Sequence, residues 1–145
     1  MEYAAIVTRE DDALVVEFPG LEGARTEVRS DESFDEMAAE ALALWLESEL
    51  QLRRVPPVPR RVRIPKRGQV RMIRVPAVLS ARIQIRQARA AAGLSHAELA
   101  KRIGVTQQQV ANIESPDGDI SPGTFERAAD ALELTIDLRL RPRAA

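Results

Sequence analysis

The chain has 145 residues, 45% of them hydrophobic, and no cysteine, which allows one domain or two small ones and removes disulfides and thiolate chemistry. No apolar run approaches the length of a membrane span, and the first residues lack the basic and apolar regions of a secretory leader, so a cytoplasmic protein without membrane contact is expected. The formal net charge of −1 conceals a segregation: residues 1–52 sum to −11, residues 53–92 carry twelve basic and no acidic side chains, and residues 93–145 sum to −2.

In chain order, Tyr3–Thr8 and Ala13–Phe18 predict a hairpin around the acidic turn Glu10-Asp11-Asp12, ended by Pro19-Gly20, and Arg25–Arg29 predicts a third strand. Ser30 or Asp31 is placed to cap a helix in which Phe34, Met37, Ala38, Ala41, Leu42, Trp45 and Leu46 recur at helical spacing and cover the sheet. Trp45 reads as core. The prolines of residues 53–68 predict an extended basic linker, and Gln69–Val75 alternates as a fourth strand stopped by Pro76. The sum is a small βββαβ layer with one helix-covered face and one open face.

The opposite fields point either to two surfaces with different partners or to mutual attraction between parts of one molecule. Glu10, Asp11, Asp12, Glu17, Glu22 and Glu27 are the candidate charges for a basic partner; each alone reads as a solvated carboxylate, and their collective sign carries the expectation. Clustered carboxylates also serve metal-dependent RNA cleavage. Acidic residues in turns do not fix two metals, so neither catalysis nor a metal or cofactor is expected.

Residues 94–114 are the most informative stretch. Ser95 can cap a helix whose inward face is Leu99, Ala100 and Ile103, Gly104 breaks it, and Thr106 caps the next helix. There Val110 and Ile113 turn to the core and leave Gln107, Gln108, Gln109 and Asn112 on or beside the outer face. Amides that donate and accept together suit the edges of bases in the major groove.

From Ser80 to Leu134 these caps, the glycine, the apolar positions and the TQQQ start resemble the Cro/phage-repressor (XRE-type) helix-turn-helix family. The resemblance implies helices Ala81–Ala92, His96–Ile103, Gln107–Glu114, the recognition helix, and Pro122–Leu132. It implies a buried ion pair between Arg89 and Glu114, and DNA contacts from His96, Thr106, Gln107, Gln108, Gln109 and Asn112. Asp117 and Asp119 stand in a loop where this family often contacts phosphate, and they would repel it.

The stretches YAAIVTRED, FPGLEGARTE, SFDEMAAEALALWLE and VRMIRVP, in that order before a helix-turn-helix, resemble the HicB antitoxin family. That resemblance implies an α+β protein: residues 1–76, including linker segment 53–68, would form a partial ribonuclease-H-like domain, and residues 77–145 an all-α DNA-binding domain with a terminal strand. The implied partners are a HicA-like mRNA-cleaving toxin, captured by the N-terminal domain, and operator DNA, through which the chain represses its own operon. The alternative function is a free-standing helix-turn-helix transcriptional regulator whose N-terminal domain senses a ligand or mediates assembly. A homodimer or higher oligomer is expected, since two DNA-reading heads gain avidity. Leu134–Leu140 alternates apolar and polar residues and reads as a strand that pairs with its copy across a two-fold axis or joins its own chain's sheet.

Overall fold

The computed structural model describes residues 1–142; residues 143–145, the end of the expected C-terminal unit, lie outside the described residues. Strands β1 (Glu2–Glu10) and β2 (Ala13–Glu17) form the expected hairpin, with Glu10 opposite Ala13 and Asp11 in the left-handed region at φ 49°. Aspartate tolerates that conformation better than most side chains, which suits it to a two-residue turn. β3 (Arg25–Arg29) and β4 (Gln69–Arg74) complete an antiparallel sheet of order β3-β2-β1-β4.

Helix α1 (Phe34–Gln51) starts later than the sequence implied. Ser33, not Ser30 or Asp31, is its N-cap and accepts a hydrogen bond from the Glu36 N–H; the earlier residues form a turn in which Glu32 accepts from the Arg29 N–H. Ala38, Leu42, Leu46 and Leu50, four apart, are buried against Tyr3, Ala5, Val16, Val28 and Ile73 of the sheet. Each fully buried leucine contributes about 1.5–3 kcal/mol. Trp45 packs at the edge of this core, and its Nε1–H donates to the Glu22 carbonyl at 2.9 Å, holding the β2–β3 loop to the helix. The register places Ala4 opposite Met72 and Ile6 opposite Val70, on the sheet face turned away from α1.

The basic segment 53–68 is extended, as its prolines require, but it is fastened to the fold. Pro56 is buried; its carbonyl accepts from Gln87 Nε2–H at 2.9 Å, and the Pro57 carbonyl accepts from the Tyr3 hydroxyl at 2.7 Å. Burial pushes the Tyr3 hydroxyl up to about 12, against a smaller opposing effect of Gln87, so it remains a donor. Beyond this anchor Arg60, Arg61, Arg63, Lys66 and Arg67 are exposed.

Four helices follow: α2 (Ala77–Ala91), α3 (His96–Ile103), α4 (Gln107–Glu114) and α5 (Pro122–Ala131). α2 begins one turn before the expected Ala81, because Pro76 serves as its N-cap and Leu79 is drawn into the sheet's core. The expected boundary after residue 76 therefore falls at the start of a helix that serves both layers: Leu79 and Ile83 join the sheet core, whereas Ile85 packs with Ile113, Phe125 and Ala128. Leu99, Ala100 and Val110 form a third cluster, and Ile103 and Leu132 pack against both helical clusters.

Residues 134–140 join no sheet of their own chain, so that half of the expectation is corrected. A strand needs a hydrogen-bonding neighbour, and both edges of the four-stranded sheet are left to other elements or solvent rather than to this segment.

Candidate nucleic-acid interface

Both helices of the turn are fixed at their starts by reciprocal caps. Ser95 Oγ accepts from the Glu98 N–H while the Glu98 carboxylate accepts from the Ser95 N–H, and Thr106 and Gln109 repeat the arrangement at the head of α4. The Ser95 backbone N–H first, then the Ser95 side chain and the charge of Arg102, hold the Glu98 carboxyl below the usual range. Between the helices Gly104 sits at φ 77°, where its N–H and that of Val105 both donate to the Ala100 carbonyl. A β-carbon there would strain this left-handed turn.

The structure brings Gln107, Gln108, Gln109 and Asn112 onto the exposed side of α4, with Val110 and Ile113 buried beneath them. Their chemistry is not equivalent. Gln109 spends its side-chain oxygen, and Thr106 its hydroxyl, on the cap. Gln108 Nε2–H donates to Asn112 Oδ1 at 3.0 Å, which orients the two amides side by side and leaves an acceptor on Gln108 and donors on Asn112. Gln107, in the first turn, has no such engagement among the described residues. Lys101 and Arg102 are exposed in the last turn of α3, immediately before the turn into α4; sequence reasoning passed over both.

His96 stands partly buried at the first position of α3. Its Nε2 lies 2.9 Å from Glu114 Oε2, so the ring is occupied by the molecule's buried carboxylate, leaving only Nδ1 to offer a phosphate. Glu114 is 1% exposed and is gripped at both oxygens by Arg89, with Arg89 Nη2–H to Oε2 at 2.9 Å; Arg86 Nη1 lies 3.9 Å from the same oxygen. Burial by itself would push the Glu114 carboxyl up, but the hydrogen bonds and charges of Arg89 and His96 outweigh it and hold the group below the ordinary range. The Arg89 Nη1–H also donates to the Leu94 carbonyl at 2.7 Å, fixing the α2–α3 turn.

Two further arginines, missed in the sequence, complete this support. Arg82 donates to the carbonyls of Asn112, at 2.7 Å, Ile113 and Gly118, so it caps the C-terminal end of α4 and ties down the loop behind it. A β-carbon at Gly118 would collide with the Asn112 carbonyl, so glycine permits this close approach. Burial lowers Arg82, opposed by Asp119 and Asp117; the loop aspartates thus face a cation of their own chain. Arg86 donates to the Leu50 carbonyl at 3.4 Å, while its Nε is buried without a partner. The signal was the spacing 82, 86, 89, which places three arginines on one helical face.

The acidic candidates lie elsewhere. Glu10, Asp11 and Asp12 are exposed at the β1–β2 tip, and Glu22 is exposed in the loop held by Trp45. Glu17 and Glu27 flank Arg25, at 3.8 and 3.6 Å, so part of their charge is already answered.

A capped helix, a left-handed glycine turn and a second helix with exposed amides define a DNA-binding fold. The helix-turn-helix family model, of the Cro/C1 type, matches residues 85–138, so the chain carries a helix-turn-helix domain of the kind found in DNA-binding transcription regulators. No curated protein matches the chain. No helix among the described residues is long and apolar enough to cross a membrane.

Proposed function

We propose that this chain is an antitoxin of the HicB type: the helix-turn-helix domain represses the chain's own operon, and the acidic N-terminal layer neutralises a HicA-like RNA-cleaving toxin by direct binding. In this reading residues 1–76 are the toxin-binding unit, built on a partial ribonuclease-H-like layer, and residues 77–145 the DNA-binding unit, with α2 shared between them. The observation that carries the DNA half is the exposed amide row of α4 on a start capped by Thr106 and Gln109 and an end capped by Arg82. The toxin half is supported by the −11 charge of residues 1–52 and by the βββαβ order. A toxin that holds RNA needs a basic surface, which an acidic layer can occupy and be steered toward.

Gln107 and Gln108 are assigned to base edges, and Asn112 to orienting Gln108 and sharing its contact. Thr106, Gln109 and His96 are assigned to positioning, through the cap and through Glu114. Changing Gln107 or Gln108 to Ala is expected to relax sequence preference at one or two operator positions by about 1–3 kcal/mol each, read by competition binding against operators altered base by base. A uniform loss over all sequences would instead make these residues phosphate contacts.

The exposed cations of the anchored segment are assigned to phosphates. Neutralising Arg60, Arg61 and Lys66 together should reduce the slope of log affinity against log salt by about 3, and an unchanged slope removes the segment from the interface.

The deciding experiment is purification of the tagged chain from its own cells, with sizing and mass spectrometry of whatever accompanies it. A stoichiometric small basic protein that degrades RNA once released establishes the antitoxin reading. Recovery of the chain alone, still selecting one DNA sequence, leaves a free-standing regulator.

A further inference from the structure

We propose that His96 couples operator binding to the uptake of a proton: its Nε2 is committed to Glu114, so only the protonated ring, donating from Nδ1 as well, contacts a DNA phosphate. The inference rests on the DNA reading above and adds to it a contact whose strength is set by pH.

The surroundings of the ring decide which nitrogen carries hydrogen. The Glu114 carboxylate, 1% exposed and held at both oxygens by Arg89, only accepts hydrogen bonds. His96 Nε2, 2.9 Å from Oε2, must therefore be the donor, and in the neutral ring Nδ1 is left as a bare lone pair. No hydrogen bond reaches Nδ1 among the described residues, and the side chain is 29% exposed at the first position of α3. When the second helix of a helix-turn-helix lies in the major groove, the first crosses the phosphate backbone; here that first helix is α3. A phosphate oxygen is itself an acceptor, so the neutral ring opposes it. Protonation turns the same Nδ1 into a charged donor.

The charges about the ring make the proton and the phosphate favour each other. Glu114 faces His96 from α4, and Arg89 and Arg86 of α2 converge on the same carboxylate, with Arg86 Nη1 3.9 Å from the oxygen that His96 touches. Within α3, Glu98 keeps its carboxylate on the Ser95 N–H. One carboxylate thus already answers two guanidiniums, and a charged imidazole is a third cation beside it. A phosphate brings the second anion. Whatever protonation adds to DNA affinity, DNA adds by the same factor to the ring's hold on the proton.

The test uses the untagged full chain and the duplex it enriches from a randomised pool, titrated between about pH 8 and pH 5, where an imidazole changes charge. Affinity is expected to rise on acidification by up to about 10-fold per pH unit for each reading head, one proton being taken up. The slope of log affinity against log salt should steepen by about 0.9 per head at the acidic end, because one more phosphate is neutralised. His96→Gln, which retains an amide donor and has nothing to titrate, should show neither change. Ring nitrogen-15 spectra of the free chain, in which the single histidine gives one pair of ring signals, should place the hydrogen of the neutral ring on Nε2. A neutral ring with its hydrogen on Nδ1, or a wild type whose affinity and salt slope are as flat in pH as those of the variant, overturns the coupling while leaving selective DNA binding in place. Enrichment of no sequence removes the DNA reading, and the coupling with it, whatever the ring spectra show.

Discussion

Glu114→Ala is expected to lower the unfolding free energy of the full chain by about 3–5 kcal/mol, because it leaves Arg89 and Arg86 buried without their counter-charge. Arg86 already has one unpartnered nitrogen, so little local rearrangement can absorb the loss. Urea denaturation followed by far-UV circular dichroism would measure it, and a loss under 1 kcal/mol would mean that water enters and solvates the arginines. The pH dependence has a definite sign. The Glu114 carboxyl titrates lower in the folded chain than in the unfolded one, so its stabilisation is fully present above the unfolded value of about 4.3 and is lost as pH falls through the folded value. Glu114→Gln should therefore flatten the acid limb of the stability profile.

The second large effect concerns α2. A fragment spanning residues 77–145 contains the whole helix-turn-helix, yet it is expected to be less stable than the same domain in the full chain by about 3–6 kcal/mol. Leu79 and Ile83, at 5% and 0% exposure, lose the sheet core, each at about 1.5–3 kcal/mol. Arg86 and Gln87 also lose their acceptors, the carbonyls of Leu50 and Pro56. Replacing Leu79 and Ile83 by polar residues within the fragment should restore its solubility but not its stability. A fragment that unfolds at the same denaturant concentration as the corresponding transition of the full chain would show that α2 owes nothing to the sheet.

The parts legible in the sequence were those specified locally. The caps Ser95 and Thr106, the glycine at the turn and the helical apolar period, with the family resemblance that implied the bounds, located α3 and α4, and period-two alternation around an acidic turn located the hairpin. The start of α1 was misjudged because Ser30, Asp31 and Ser33 are all competent caps, and only packing chooses among them. The early start of α2 was missed because the resemblance begins only at Ser80, and Leu79 and Ile83 are partnered by a sheet formed far away in sequence. The same distance hid Arg82 and Arg86, whose acceptors are main-chain carbonyls carrying no residue identity. His96 was read by its place at a helix start, whereas its partner lies eighteen residues on. Residues 134–140 alternate like a strand, but alternation records only that one face seeks burial, not which chain supplies the cover.

α2 also has a thermodynamic consequence. One side of it is set in the sheet core, and through Arg82, Arg86 and Arg89 the other holds the C-terminal end of α4 and its buried carboxylate. An N-terminal partner that bound more tightly to one placement of α2 than to another would alter operator affinity by some factor, and reciprocity requires operator DNA to alter that partner's affinity by the same factor. Occupancy at either end of the molecule would then report on the other, with no messenger besides a single fifteen-residue helix.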